Sequence, residues 1–285
     1  MNDHTQNWDI QIKPNVRWFD WNIKEVWRYR DLMWMLVKRD FVSVYKQTIL
    51  GPLWFFIQPM LTTGMYFLVF SRMAKLSTDG IPPLLFYLSG ITFWSYFQET
   101  LIRISDTFIT NSHIFGKVYF PRIVIPISVV ISNLVRFFIQ FFLFLLVWVF
   151  YLADSTVHLQ PNWNWFIIIP VLLIMMAGLA LGLGMIISSL TTKYRDLRFL
   201  LTFGVQLLMF GTPIVYPLSI ASETLRPYLM LNPMTALVES FRFVFLGSGA
   251  WSYAGLAYSF ACMIGLLILG MLVFNKVEKK FMDTV

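Results

Sequence analysis

Six stretches of this 285-residue chain are apolar over about the length needed to cross a bilayer, and no other feature restricts its fold so strongly. They run near residues 51–71, 84–102, 123–151, 165–190, 199–217 and 253–274. A hydrocarbon layer about 30 Å thick takes roughly 20 residues of helix to span. No water is present there to complete backbone hydrogen bonds, so a crossing segment must be a helix or a strand of a closed barrel. Barrel strands are about ten residues long with alternating polarity, which these long continuous runs do not show. The predicted fold class is an all-α integral membrane protein with six transmembrane helices. Composition agrees, because 58% apolar, 18% aromatic and 13% charged residues with a mean hydropathy of +0.66 exclude a soluble domain of this length.

The basic character of the chain, net charge +7 and pI near 9.5, reads as topology rather than as a nucleic-acid surface. Nucleic-acid binding needs cations gathered on a solvated face, whereas these lie between apolar runs. Of the 22 Lys and Arg residues, 17 fall before the first run, after the last, or in the alternate connections 103–122 and 191–198. Only Arg72, Lys75, Arg226 and Arg242 fall on the other side, and Arg136 lies inside a run. Cytoplasmic loops carry the excess of Lys and Arg, so both termini are expected in the cytoplasm. The first fifty residues lack the charged, apolar and small-residue regions of a cleavable signal peptide, so the N-terminus is expected to be retained.

Three connections read as structured. Residues 24–48 form a basic, partly amphipathic segment that suits a helix lying along lipid headgroups, and Gly51-Pro52 turns the chain from it into the first run. The segment RISDTFITNSHIFGKVYFPR, 103–122, has Ser105 and Asp106 as capping candidates and Gly116 and Pro121 as stops, which predicts a short surface helix. The segment 218–250 divides into two short pieces, the second opened by Asn232-Pro233 as cap and first helical residue and closed by Gly247. Its apolar run Ala236 to Leu246 is too short to span and suits a re-entrant or interfacial helix. No internal repeat divides the chain, which reads as one membrane domain over 1–285.

Catalytic groupings are missing from the sequence. Gly116-Lys117 lacks the upstream glycine and following hydroxyl of a phosphate-binding loop, so ATP hydrolysis by this chain is not expected. His4, His113 and His158 are widely separated, no metal-ligand or nucleophile motif occurs, and the single Cys262 sits in an apolar run as a packing residue. Neither an enzyme nor a metal site is predicted.

One charge lies deep in an apolar run. Arginine at the centre of a span costs about 2.5–3.5 kcal/mol on the insertion scale, so Arg136 is not expected to face lipid. Asn133, Arg136 and Gln140 share a helical face at i, i+3 and i+7. Two readings of this stripe stand: it faces a translocation path or a phosphate-bearing substrate, or it joins helices, with Arg136 paired to a carboxylate or to carbonyls. The second run is rich in aromatic residues, among them Phe86, Tyr87, Trp94 and Phe97, which either stack against sugar rings or serve as lipid belt and core. Gly178, Gly182 and Gly184 in the fourth run read as a close helix-packing face.

With these features assembled, the chain resembles the membrane subunit of type-2 ABC exporters, specifically the permeases for O-antigen, capsular polysaccharide or wall teichoic acid. The resemblance runs from about Trp27 to the C-terminus. It rests on WRYRDLMWMLVKRD (Trp27 to Asp40), YKQTILGPLW (Tyr45 to Trp54), Gln58-Pro59, YFPRIVIPI (Tyr119 to Ile127), KYRDLRF (Lys193 to Phe199), TPIVYP (Thr212 to Pro217), NPMT (Asn232 to Thr235) and the tail FNKVEKKFMDTV. Each block alone is weak; their order and spacing around six spans is specific.

The resemblance implies a permease homodimer joined to two copies of an ABC ATPase in the bacterial inner membrane, with ATP and magnesium held by the ATPase and no cofactor bound by this chain. It implies that 103–121 is the segment that couples to the ATPase, with Arg103, Asp106, Phe108, Asn111, Phe115 and Lys117, and that Tyr194, Arg195 and Asp196 form a second contact. In such permeases the interfacial helix would bring Arg28, Arg30, Lys38, Arg39 and Lys46 to the headgroup and diphosphate of a polyprenyl-linked glycan. The channel candidates are Trp54, Phe86, Tyr87, Trp94, Phe97, Asn133, Arg136 and Gln140. Residues 218–250 would be the outer gate, with Pro213, Tyr216, Asn232 and Pro233 as gate candidates. The substrate expected is an O-antigen-type glycan; the alternatives are teichoic acid, capsule, or a drug or lipid exported by a related permease. Short outer loops argue against the last.

Overall fold

The computed structural model describes residues 23–46, 48–115, 120–154, 157, 159–162 and 164–282. No strand occurs among them. In chain order the helices are α1 (Ile23–Arg28), α2 (Arg30–Tyr45), α3 (Trp54–Tyr66), α4 (Pro83–Ser105), α5 (Thr107–Thr110), α6 (Ser112–Phe115), α7 (Val124–Ala153), α8 (Trp165–Thr191), α9 (Leu197–Phe210), α10 (Arg226–Met230), α11 (Pro233–Leu246) and α12 (Tyr253–Met282).

A single turn of 3-10 helix, Gly51–Leu53, leads into α3, and a π-helical stretch, Phe67–Met73, continues it. Gly51 adopts φ +52, a conformation open to glycine without steric cost, and Pro52 occupies the first turn, where its missing N–H loses nothing. The bend predicted between the basic helix and the first apolar run is therefore present.

Among the described residues, four helices are long and apolar enough to cross a membrane: Gly51–Met73, Val124–Ala153, Phe166–Thr191 and Tyr253–Val277. The other two predicted spans behave differently. Helix α4 has 23 residues and the length to cross, but it is buried along most of its course and carries Gln98, Glu99 and Arg103. Helix α9 has 14 residues, about 21 Å of helix at 1.5 Å per residue, and ends at Phe210 rather than near 217. Pro213 and Pro217 lack the N–H that a continuing helix would use, so residues 211–217 pass on as turns, most of them buried.

Helix α4 is the centre of the bundle. Its Phe93 meets Phe241 of α11 at 4.4 Å between ring centroids. On α7, Phe144 stands edge-on to Phe245 at 5.2 Å, and Trp148 Nε1 donates to the Phe245 carbonyl at 2.8 Å. In lipid such rings gain from dispersion and shape rather than from leaving water, which is why the contacts are close and interlocked. Glycine allows the tightest crossing. A Cβ on Gly182 of α8 would come within 2.6 Å of the Leu266 backbone on α12, and one on Gly270 within 2.6 Å of the Gly182 carbonyl oxygen. Gly178 and Gly184 likewise face Met263 and Ile104, so the glycine face predicted in the fourth run is a packing face.

The caps predicted for α11 are also present. Asn232 Oδ1 accepts the Met234 N–H at 3.0 Å, Pro233 begins the helix, and Gly247 ends it at φ +71. The predicted helix in 103–122 is instead two single turns, α5 and α6. Neither capping candidate caps: Ser105 Oγ donates to the Ile102 carbonyl at 2.6 Å, and the Asp106 carboxylate turns to Arg198. A charged donor outcompetes backbone amides for a partly desolvated carboxylate.

Candidate functional site

A cavity of about 450 Å³ opens between α3, α4 and α7, with Gln206 of α9 on its rim. Helix α3 contributes Trp54, Gln58 and Thr62, α4 contributes Trp94, Ser95, Gln98 and Glu99, and α7 contributes Asn133, Arg136 and Gln140. Seven-residue helical periodicity delivers the last three to one face. Arg136 Nη1 lies 2.8 Å from Glu99 Oε2, and Arg103 Nε approaches the same oxygen at 3.4 Å. Asn133 Nδ2 donates to Thr100 Oγ1 at 3.1 Å, and Trp94 Nε1 to Gln98 Oε1 at 2.7 Å.

At Arg136 the structure shows the carboxylate pairing that the helix-joining reading expects, with a polar space beside it. Arg136 is 8% exposed and paired to a carboxylate, and it lines a polar cavity. Pairing offsets the cost of its charge, while Glu99, half exposed, keeps one side open. Glu99 is absent from the predicted site residues. Its signal was available: it is the sole acid in the 84–102 run, four residues before Arg103.

Of the channel candidates, Trp54, Trp94, Asn133, Arg136 and Gln140 share this cavity. Phe86, Tyr87 and Phe97 do not. The Phe86 ring lies under the Arg242 guanidinium at 3.8 Å, Tyr87 is enclosed by Phe86 and Tyr66, and Phe97 lines a separate apolar cavity.

Helix α2 approaches the polar cavity from the side, where Arg136 Nη2 donates to the Asp40 carbonyl at 3.4 Å. Leu36 and Val37 are buried, whereas Arg28, Arg30, Lys38, Arg39 and Lys46 are exposed along with Trp27 and Trp34. Exposed cations with exposed tryptophans are the composition of a helix at a headgroup layer.

In the 103–122 segment, Phe108 packs on Phe274 of α12 at 4.7 Å and on Phe115 at 5.9 Å. Asn111 Nδ2 donates to the Thr107 carbonyl at 3.0 Å. Phe108, Asn111 and Phe115 are all buried, so they support this segment from beneath and do not form its outer surface. Lys117 lies outside the described residues. Burial pushes the Asp106 carboxyl above the usual aspartate value, and the Arg198 guanidinium, 2.9 Å away, partly restores it. This pair ties the start of α5 to the start of α9. Tyr194, Arg195 and Asp196 are exposed in the adjoining turn.

At the other end of α9, Asn232 Nδ2 donates to Thr212 Oγ1 at 2.8 Å and to the Gly211 carbonyl at 3.2 Å. Tyr216 Oη donates to the Phe210 carbonyl at 2.9 Å, and Pro213 is buried. Ser219 Oγ donates to the Asp79 carboxylate at 2.7 Å.

Arg242, counted from sequence as a loop charge, is 1% exposed. It donates to the Pro213 carbonyl and, at 2.8 Å, to the Ile214 carbonyl, with Glu239 at 3.5 Å. Glu239 Oε2 accepts the Ala250 N–H at 2.9 Å. Two carbonyls of the turn that follows α9 are thus taken by a buried arginine of α11, and Gly90 leaves the room it needs.

A bundle of long apolar helices around a polar, tryptophan-lined cavity, with exposed cations at its flank, is the build of a membrane-embedded transport subunit. The chain belongs to the ABC-2 type transporter family, which matches residues 31–246. It is similar to the O-antigen export system permease protein RfbA of Klebsiella pneumoniae, with 26% identity over 256 residues covering 89% of this chain and 94% of the relative. The protein of the same name from Myxococcus xanthus is 29% identical over 225 residues, 78% of this chain and 83% of the relative. The capsule polysaccharide export inner-membrane protein CtrC of Neisseria meningitidis serogroup A is 22% identical over 253 residues, 86% of this chain and 90% of the relative.

Proposed function

We propose that this chain is the permease subunit of an ATP-driven exporter that moves a polyprenyl-diphosphate-linked polysaccharide, of the O-antigen type, from the cytoplasmic side across the bacterial inner membrane. The observation that carries the reading is the polar cavity of α3, α4 and α7, with Trp54 and Trp94 among amide side chains, beside a helix of exposed cations. Aromatic faces and amides suit sugar rings and hydroxyls, and cations suit a diphosphate. Relatives named for O-antigen export support the substrate class.

Two copies would pair and bind two ABC ATPases, which hold ATP and magnesium. All six apolar segments would cross, α4 and α9 in the interior of the assembly, with both termini cytoplasmic. Helix α2 would gather the lipid-linked substrate at the headgroup layer. The 103–121 segment, with Arg103 and Asp106, and the turn at Tyr194, Arg195 and Asp196 would receive the ATPase. Nucleotide binding biases this two-state element and so reaches the spans. Residues 218–250, with Asn232 and Pro233, would form the outer gate.

Depleting the protein and identifying the polyprenyl-linked glycan left on the cytoplasmic side tests the substrate; absence of any accumulated glycan would refute the reading. Replacing Arg28, Arg30, Lys38 and Arg39 by Gln should reduce export with the complex still assembled. A second reading, capsule export, is favoured by the similarity to CtrC. The accumulated glycan's sugars separate the two.

A further inference from the structure

Cys262, Gly265 and Leu269 recur on one face of α12, one turn apart, with Tyr258 a turn before them. This face borders a second cavity, of about 480 Å³, lined also by Leu183 of α8, Leu208 of α9 and Asn232 at the start of α11. Asn232 is the polar exception in the lining, and its amide is already spent on Thr212, Gly211 and Met234. A water needs two to four polar partners, so this space does not suit water. A Cβ on Gly265 would meet no atom within 4 Å, and Leu269 is 54% exposed, so the cavity is open along α12 and reaches the side of the bundle.

Its size admits a hydrocarbon chain. An apolar cavity of about 150 Å³ accommodates one benzene, so about 480 Å³ accommodates roughly three such units, or about eighteen carbons. The nearby end of α12 carries the groups expected at a membrane surface. Tyr253 is 79% exposed, Tyr258 Oη donates to the Leu231 carbonyl at 2.9 Å, and Arg226 is exposed on α10 just before it. Tyrosine and arginine at a helix end sit at headgroup level, and apolar residues one to three turns further in sit at acyl level.

We propose that this cavity is a binding site for one acyl chain of a membrane phospholipid, lying along Cys262, Gly265 and Leu269 beneath the Asn232-Pro233 start of α11. The bilayer around α12 presents such chains at the concentration of a solvent, and the lining offers a peptide no charged side chain and only the Asn232 amide, which is already bonded within the protein. The chain fills the space beside the first turn of α11.

The test uses the full-length protein in nanodiscs containing phosphatidylcholine with a diazirine at the tail end of one acyl chain. Photolabelling should concentrate adducts on residues 258–269 and around Leu208. Gly265→Phe, which fills the cavity, should lower those adducts several-fold without changing labelling at the lipid-exposed Phe142 and Ile167. Gly265→Leu should give a smaller decrease and serves if the phenylalanine variant does not fold by size exclusion. Alkylation of Cys262 should also be slower in the nanodisc than in a short-chain detergent. Adducts spread evenly over exposed helices, or unaffected by either variant, would overturn the site. So would copper-catalysed disulfide linkage of Cys262 between two copies, which would make a second copy of this chain the occupant.

Discussion

Arg242→Ala removes a buried cation shared by the Pro213 and Ile214 carbonyls, the Glu239 carboxylate and the Phe86 ring. Each carbonyl left buried without a donor costs about 1–3 kcal/mol. Glu239 would keep only the Ala250 N–H, and stranding one member of a buried ion pair costs about 3–5 kcal/mol. These losses overlap, because relaxation around one vacated group admits partners to the others, so about 4 kcal/mol is expected for the whole. At roughly 2–4 °C per kcal/mol for a chain of this size, Tm should fall by about 10 °C. Thermal unfolding of the detergent-solubilised protein, followed by size exclusion, measures it. Adding Glu239→Gln should recover part of the loss, since the stranded charge is removed. Arg242→Lys should lie between, because one ammonium lacks the planar fork that reaches two carbonyls. A fall of less than about 3 °C, with no recovery from Glu239→Gln, would refute the claim that Arg242 secures the turn after α9.

Three further outcomes follow from the geometry. Gly182→Ala drives a methyl into the Leu266 backbone and should cost about 1–3 kcal/mol, whereas Gly265→Ala, facing open space, should leave Tm almost unchanged. Asp106 is held above its unfolded value of about 3.9, so the folded protein binds the extra proton between the two values and stability falls as pH rises through that interval. Arg198→Ala should widen the interval and deepen the fall, and Asp106→Asn should abolish it; identical Tm slopes for all three proteins from about pH 4 to 7 would contradict this. Glu99→Gln leaves Arg136 without its counter-ion and should lower both Tm and export. The apolar pair Glu99→Leu with Arg136→Met should restore Tm and not export, and restored export in a transport assay would show that the ion pair only joins helices.

What could be read before folding was local. The α11 caps depend on Asn232, Pro233 and Gly247 within one short segment, and the bend at Gly51-Pro52 depends on two adjacent residues. The glycine face of α8 was legible because close crossing is the usual use of such spacing in lipid. The 103–122 segment was only half legible: its helical character was local, but Asp106 abandoned its cap for Arg198, a residue ninety-two positions away.

By itself, the sequence determined that the chain is helical and that it resides in a membrane, because lipid enforces backbone pairing on each segment separately. Family blocks in order determined the transporter class. Only the tertiary structure decided that Glu99 is the partner of Arg136, 37 positions away, and that Arg242 is no loop charge but a buried donor to Pro213 and Ile214. It also separated Trp54 and Trp94, which face the polar cavity, from Phe86, Tyr87 and Phe97, which do not. Helical periodicity says which residues share a face; which face meets a cavity depends on how the other helices pack against it, and that is not encoded in any one segment.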